Sequence, residues 1–221
     1  MSWIENLKTK PIAEIGRWGD MRWPWILCAA ICCALVLVAH NMFQVWLYMK
    51  PCEQCVYIRF GFLAVALGTL VIATNPKNLI AKEVGTVIAI LGCWYGISCS
   101  SKLSSIHHAV HSENLEDMFG MQGCSTEPHY PFGLPLEKWA PDWFQPTGDC
   151  GYDLAVVPDG TELSGLQQWF IELYNSSDSW YLIPSAKFMS MAQCYLLAFS
   201  VAAVLIALLV GASLWRRKTS A

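Results

Sequence analysis

Met49-Lys50-Pro51-Cys52-Glu53-Gln54-Cys55-Val56-Tyr57-Ile58-Arg59 joins two apolar runs, Pro24 to Met49 before it and Val56 to Thr74 after it. Each run is long enough to cross a bilayer, and Lys50-Pro51 ends the first. The Cys-x-x-Cys pair is therefore expected at a membrane surface, where one spanning helix stops and the next begins. Two sulfurs at this spacing can close a small ring or bind a soft metal. A helix N-terminus or a nearby cation favours thiolate over thiol. Cys55 has both, since it opens the second helix with Arg59 one turn later on the same face. An arginine at the lipid edge is costly and calls for a partner or a function.

The rest of the chain agrees with a membrane protein. Of 221 residues, 55% are hydrophobic and 14% charged, and the mean hydropathy is +0.37, outside the balance of soluble domains. Two further apolar runs, Val84 to Ser101 and Phe188 to Trp215, bring the expected spans to four. Basic residues flank them unevenly: Lys8, Lys10, Arg17 and Arg22 precede the first, Lys77 and Lys82 lie between the second and third, and Arg216-Arg217-Lys218 follow the fourth. The positive-inside rule makes those ends cytoplasmic and turns the Cys-x-x-Cys outward. The fold expected is an all-α membrane protein, a four-helix transmembrane bundle with a long extracytoplasmic loop containing a short interfacial helix. Its divisions are a cytoplasmic N-terminal segment (1–22), helices one to three with the Cys-x-x-Cys loop (23–106), an outer loop (107–187), and helix four with a basic cytoplasmic tail (188–221). The first apolar run shows no small-residue cleavage site and is expected to be retained. No nucleic-acid partner is expected.

The outer loop carries twelve acidic residues against Lys138 and Lys187. Such charge would steer a basic partner or simply be solvated. Pro128, Pro131, Pro135, Pro141 and Pro146 predict an irregular stretch, whereas Leu163, Leu166, Trp169, Phe170 and Leu173 have helical spacing and predict an amphipathic helix on the bilayer. Trp139, Trp143, Phe144, Trp169, Trp180 and Tyr181 read as an interfacial aromatic belt, some of them available to line a partner groove.

Ten cysteines divide by position. Cys28, Cys32, Cys33, Cys93, Cys99 and Cys194 fall within apolar runs and read as small hydrophobes. Cys52, Cys55, Cys124 and Cys150 face outward, where disulfides persist. These two pairs could be structural staples, or disulfides that exchange with each other by thiolate attack. Two other classes compete. A four-helix scaffold with structural disulfides would share the hydropathy but leaves Arg59 unexplained. A metal handler using Cys52, Cys55 and histidines would have Arg59 repelling its cation, so no metal site is expected.

Pro51-Cys52-x-x-Cys55-x-x-x-Arg59, together with Leu134-Pro135-Leu136-Glu137-Lys138-Trp139-x-Pro141-x-x-Phe144-x-x-x-Gly148-Asp149-Cys150, resembles the DsbB family of quinone-linked disulfide-generating membrane proteins. The similarity covers roughly residues 23 to 150 and, more weakly, helix four. An extra segment at about 155–185 and a longer N-terminal extension resemble the DsbI branch. The resemblance implies a quinone-dependent protein-disulfide oxidoreductase in the bacterial inner membrane, with both termini cytoplasmic and the active cysteines periplasmic. Its cofactor would be ubiquinone or menaquinone, and its partner a periplasmic thioredoxin-like thiol oxidase of the DsbA/DsbL type. It also implies the roles: Cys124, paired with Cys150, is attacked by the partner; Cys150 then attacks Cys52; and Cys55 is left as the thiolate facing the quinone. Arg59 would hold that thiolate and the reduced quinone oxygen. His107, His108 and His111, with Ser104, are expected on one face at the outer end of helix three. His111 best matches the family's quinone-side histidine, as a donor of hydrogen bonds and protons. His40 reads as a buried, satisfied polar group and His129 as a loop residue.

Overall fold

A computed structural model of the protein describes residues 10–112 and 124–220. The first helix, α1 (Pro11–Gly19), has proline at its start and an amphipathic pattern. It is followed by four helices long and apolar enough to cross a membrane. The first is α2 (Trp23–Val38), which continues as a π-helical stretch over Ala39–Trp46. The second is α3 (Glu53–Thr74) and the third α4 (Leu79–Val110). After the loop, with its short helices α5 (Leu136–Trp139) and α6 (Pro141–Phe144), comes α7 (Gly165–Asn175). A hairpin of β1 (Tyr181–Ile183) and β2 (Phe188–Ser190) leads into the fourth span, α8 (Met191–Ser220). The chain is a multi-pass helical membrane protein.

Three boundaries differ from the sequence reading. The third span extends to Val110 because its C-terminal part, with Leu103 and Ile106, is buried by protein rather than ended by polarity. The fourth begins at Met191, since Phe188–Ser190 pair as a strand with Tyr181 opposite Ser190. The first stays helical to Trp46 but widens into a π-helix, a form that recurs at functional sites. The expected amphipathic helix is present as α7. Ser164 caps it, accepting a bond from the Gln167 N–H while Gln167 reaches back to the Ser164 N–H.

The described residues form two compact units. One comprises residues up to 34, 61–94 and 198 onward. Small residues let its helices close up: a Cβ on Gly68 would lie 2.5 Å from the Gly85 carbonyl oxygen, and one on Gly16 2.6 Å from that of Ala212. Its polar centre is Asp20, buried and bonded to the buried Lys82 at 2.7 Å, to Arg217 at 3.0 Å and to Arg216. Lys82 also donates to the Ser213 hydroxyl at 2.8 Å. Burial opposes ionisation of Asp20, but the hydrogen bonds from Lys82, Arg217 and Arg216 outweigh it and hold its carboxyl below the usual range. Cys32 and Cys93 are buried here as free thiols.

The other unit, residues 35–60 and 95–197, holds Cys52, Cys55, Cys124 and Cys150. Leu47, Met49, Ile171, Tyr174, Trp180 and Met191 form its core, so the extra segment packs on the loop that carries the Cys-x-x-Cys. Phe144, Trp180 and Tyr181 are buried, whereas Trp139 and Trp169 are exposed. The aromatic belt is thus split between core and surface.

Candidate active site

Cys52 lies one residue before α3, and its sulfur accepts the backbone N–H of Cys55 at 3.3 Å, as an N-cap side chain does. Cys55 lies in the first turn of α3, as expected, and the capping sulfur is that of Cys52. Both thiols are free. Cys52 is only 1% exposed. Its burial pushes the thiol well above its ordinary range, and hydrogen bonding to Cys55 and the charge of Asp153 push it the same way.

Cys124 and Cys150 are joined in a disulfide with Cα atoms 5.8 Å apart. The backbone around Cys150 is sewn to the backbone before Cys52. Thr147 and Gly148 both donate to the Pro51 carbonyl, at 2.9 and 3.1 Å, Val156 donates to that of Tyr48 at 3.0 Å, and Met49 bridges Ala155. Gly148 permits this approach, because a Cβ there would stand 2.6 Å from the Lys50 carbonyl oxygen. On the other side of the disulfide, the Glu53 carboxylate accepts the Ser125 N–H at 2.9 Å and the Tyr57 hydroxyl at 3.0 Å, and Tyr57 accepts the His129 N–H at 2.6 Å. One helix start thereby holds both ends of the loop pair.

Arg59 is buried at 5% exposure. It donates to the Gln44 side-chain oxygen at 2.8 Å, the Trp143 carbonyl at 2.9 Å and the Ala39 carbonyl at 3.4 Å. All three acceptors are neutral. Gln44 in turn donates to the Asp142 carbonyl at 2.7 Å, and His40 stacks on Trp143 with ring centroids 3.8 Å apart while its Nδ1 lies 3.3 Å from the Gln44 oxygen. The π-helical stretch presents Ala39, His40 and Gln44 to this network. Arg59 and Cys55 line one small cavity of about 30 Å³, together with Lys50, Asp153 and Tyr195.

The histidines separate. His107 is buried, bonded to the Ser179 hydroxyl at 3.0 Å and stacked on His111. The His111 ring nitrogens face the carbonyls of His107 at 2.9 Å and Asp178 at 3.3 Å. His108 is exposed and lines a different cleft with Ser104. The expected common face thus splits, because residues 107 and 111 stack one turn apart while 104 and 108 fall on the neighbouring row. His111 is not among the residues lining the Cys55–Arg59 cavity. Among the described residues, no three His, Cys, Asp or Glu side chains are grouped to hold a metal.

Sequence reasoning missed Gln44 and Asp153. Gln44 sits in an apolar run with no pattern to single it out. Asp153 was one of twelve loop acids, and only its burial distinguishes it.

Residues 21–209 match the family profile described as disulfide bond formation protein DsbB. The chain is 54% identical over 206 residues to a putative protein-disulfide oxidoreductase DsbI of Campylobacter fetus, covering 93% of this chain and 94% of that one. Protein-disulfide oxidoreductases DsbI of Escherichia coli O6:K15:H31 and Salmonella typhimurium are 51% and 48% identical, over 94% of this chain and 93% and 92% of theirs. A paired and a free set of cysteines held together by backbone, in a chain this similar to such oxidoreductases, lead to one assignment: the protein belongs to the DsbB family and is a membrane protein-disulfide oxidoreductase.

Proposed function

We propose that the protein reoxidises a periplasmic thioredoxin-like thiol oxidase of the DsbA/DsbL type and passes the electrons to a membrane quinone. The observation that carries this reading is the backbone ladder joining the strand of Cys150 to that of Cys52, next to a buried arginine whose hydrogen bonds all end on neutral oxygens.

In the relay, a partner thiolate attacks Cys124 and displaces Cys150. The partner's second thiol then releases Cys124, leaving the loop pair with the partner's two electrons. Cys150 attacks Cys52 in its disulfide with Cys55, which leaves as thiolate. Cys124 then closes again on Cys150, and Cys52 is released. Each exchange breaks one sulfur–sulfur bond and forms another, so electron count is conserved. The acidic loop would attract the partner, with N- and C-termini on the cytoplasmic side.

A guanidinium has five N–H donors, and three of those on Arg59 are engaged among the described residues. The remaining two suit a carbonyl oxygen that gains negative charge, and Arg59 shares a cavity with Cys55, so the donor set fits a quinone. Ubiquinone or menaquinone, when bound, supplies a two-electron, two-proton acceptor. The cavity beside Arg59, about 30 Å³, has room for about one water. Arg59 would orient that oxygen and favour the Cys55 thiolate, while His111 would supply a proton route from the outer end of α4.

The test is purified protein with a reduced thioredoxin-like oxidase and quinone, watched for quinone reduction. Reduction that requires all four cysteines supports the reading. Partner oxidation without quinone reduction contradicts it.

A further inference from the structure

Closing Cys52 and Cys55 into a disulfide requires Cys52 to lose a proton inside protein, since the residue is 1% exposed. A proton acceptor must therefore come from the wall of the site. Asp153 is the carboxylate that meets this need: it is itself 9% exposed, lines one cavity with Pro51, Cys55 and Arg59, and its charge acts on Cys52. It stands three residues after Cys150, on the stretch whose backbone pairs with Tyr48 and Met49. The loop that delivers Cys150 to Cys52 thus also delivers a carboxyl.

Resting on the dithiol-to-quinone reading above, we propose that Asp153 is the proton-exchange group of Cys52, taking its thiol proton as the Cys52–Cys55 disulfide closes and returning one when that disulfide is opened. On closure, the Cys52 S–H bond breaks, its proton joins the Asp153 carboxylate, and the sulfur–sulfur bond to the Cys55 thiolate forms. Two electrons leave for an acceptor of the quinone class, whose reduced form takes up the Asp153 proton and one from solvent. On opening, one of the two protons shed by the partner's thiols has reprotonated Asp153 and the other has gone to solvent; Cys52 is released by Cys124 and regains its proton from Asp153. The balance is two electrons and two protons per cycle.

The groups facing Asp153 are Lys50 and Cys52 from the loop, Cys55 and Arg59 from α3, His111 from the end of α4 and Tyr195 from α8. Burial raises the carboxyl to about 6, opposed by the charge of His111. Above that value Asp153 is ionised and can accept, and below it acceptance is lost.

Two measurements on the full-length protein test this. In the reduced protein without quinone, Cys52 alkylation by iodoacetamide is followed against pH by peptide mass. Asp153→Asn removes a negative charge beside Cys52, so the alkylation midpoint moves to lower pH by about one unit, or about tenfold in rate at a given pH below it. In steady-state quinone reduction, the same variant is slower by roughly tenfold to a hundredfold at pH 7 and loses the acid limb near pH 6, while Asp153→Glu restores the limb. A thiol made more acidic yet slower to close distinguishes proton exchange from loosening, which raises alkylation uniformly without moving its midpoint. An unmoved midpoint with an unchanged limb overturns the proposal. Should the wild-type protein reduce no quinone, the function proposed above fails, and the alkylation midpoint alone then decides the role of Asp153.

Discussion

Two buried cations in this chain are held in opposite ways. Lys82 meets a carboxylate, Asp20, which also takes Arg216 and Arg217. Among the described residues, Arg59 donates to a glutamine oxygen and two backbone carbonyls. Removing a charge from water costs several kcal/mol unless an opposite charge or full hydrogen bonding compensates it. At Lys82 the compensation is a directly bonded carboxylate, so the lysine is already paired and the cluster joins α1, α4 and α8. At Arg59 the positive charge is oriented but not neutralised by those bonds, so it remains available to an anion arising in the cavity beside Cys55. On the function proposed above, the buried cation with no bonded carboxylate among the described residues marks the working site, and the one with a carboxylate marks the scaffold.

The largest effect expected on the working side is from Cys52→Ser or Cys55→Ser, which should abolish multiple turnover in quinone reduction while leaving detergent-extracted protein folded by thermal melting. Normal turnover in either variant would remove the α3 pair from the relay. On the scaffold side, Asp20→Asn leaves Lys82 buried without its carboxylate and should cost about 3 to 5 kcal/mol of stability. Quinone reduction below the lowered melting temperature should stay near wild type. A melting curve that does not move would show that the cluster is solvated and the contrast drawn above is wrong.

Arg59→Met sharpens the contrast from the other side. Losing about 1 to 3 kcal/mol of charge-assisted bonding should slow quinone-limited turnover about tenfold to a hundredfold, while the Cys124–Cys150 disulfide still oxidises its partner once. An unchanged rate across quinone concentrations would reduce Arg59 to a packing residue. The smallest effect near neutral pH is the titration of Asp20. Its folded-state carboxyl lies below the ordinary range, so its stabilisation is complete above the unfolded value near about 3.9 and is lost as pH falls through the lowered folded value. Thermal stability attributable to Asp20, read as the difference from Asp20→Asn, should be constant from about pH 8 to 5 and shrink only in stronger acid.

Much of this was legible in the chain because membrane burial is written in runs. The four apolar segments, the basic ends and the spacing of Leu163 to Leu173 are local patterns; each apolar segment and the Leu163 spacing became a helix, although the third span runs Leu79–Val110 rather than Val84 to Ser101. The cysteines and Arg59 were legible because their residue types are costly or reactive where they stand. Gln44 and Asp153 were not, since their importance comes from contacts made across the chain: a π-helical stretch turns Gln44 toward Arg59, and the pairing of residues 147–156 with 48–51 carries Asp153 inward. Gly148 stood within the recognised motif, but only the approach of the Lys50 carbonyl explains it. The β1–β2 hairpin was hidden because Phe188 to Ser190 reads as the start of an apolar span.

The central claim is that electrons pass from the loop pair to the α3 pair through a bond between Cys150 and Cys52. It is tested most directly in a Cys55→Ser, Cys124→Ser double variant, which keeps only those two of the four sulfurs. After mild oxidation and proteolysis without reductant, mass spectrometry should find a single Cys52–Cys150 disulfide peptide in most of the protein. Cys52 and Cys150 both recovered as free thiols, or linked to other cysteines, would contradict the relay.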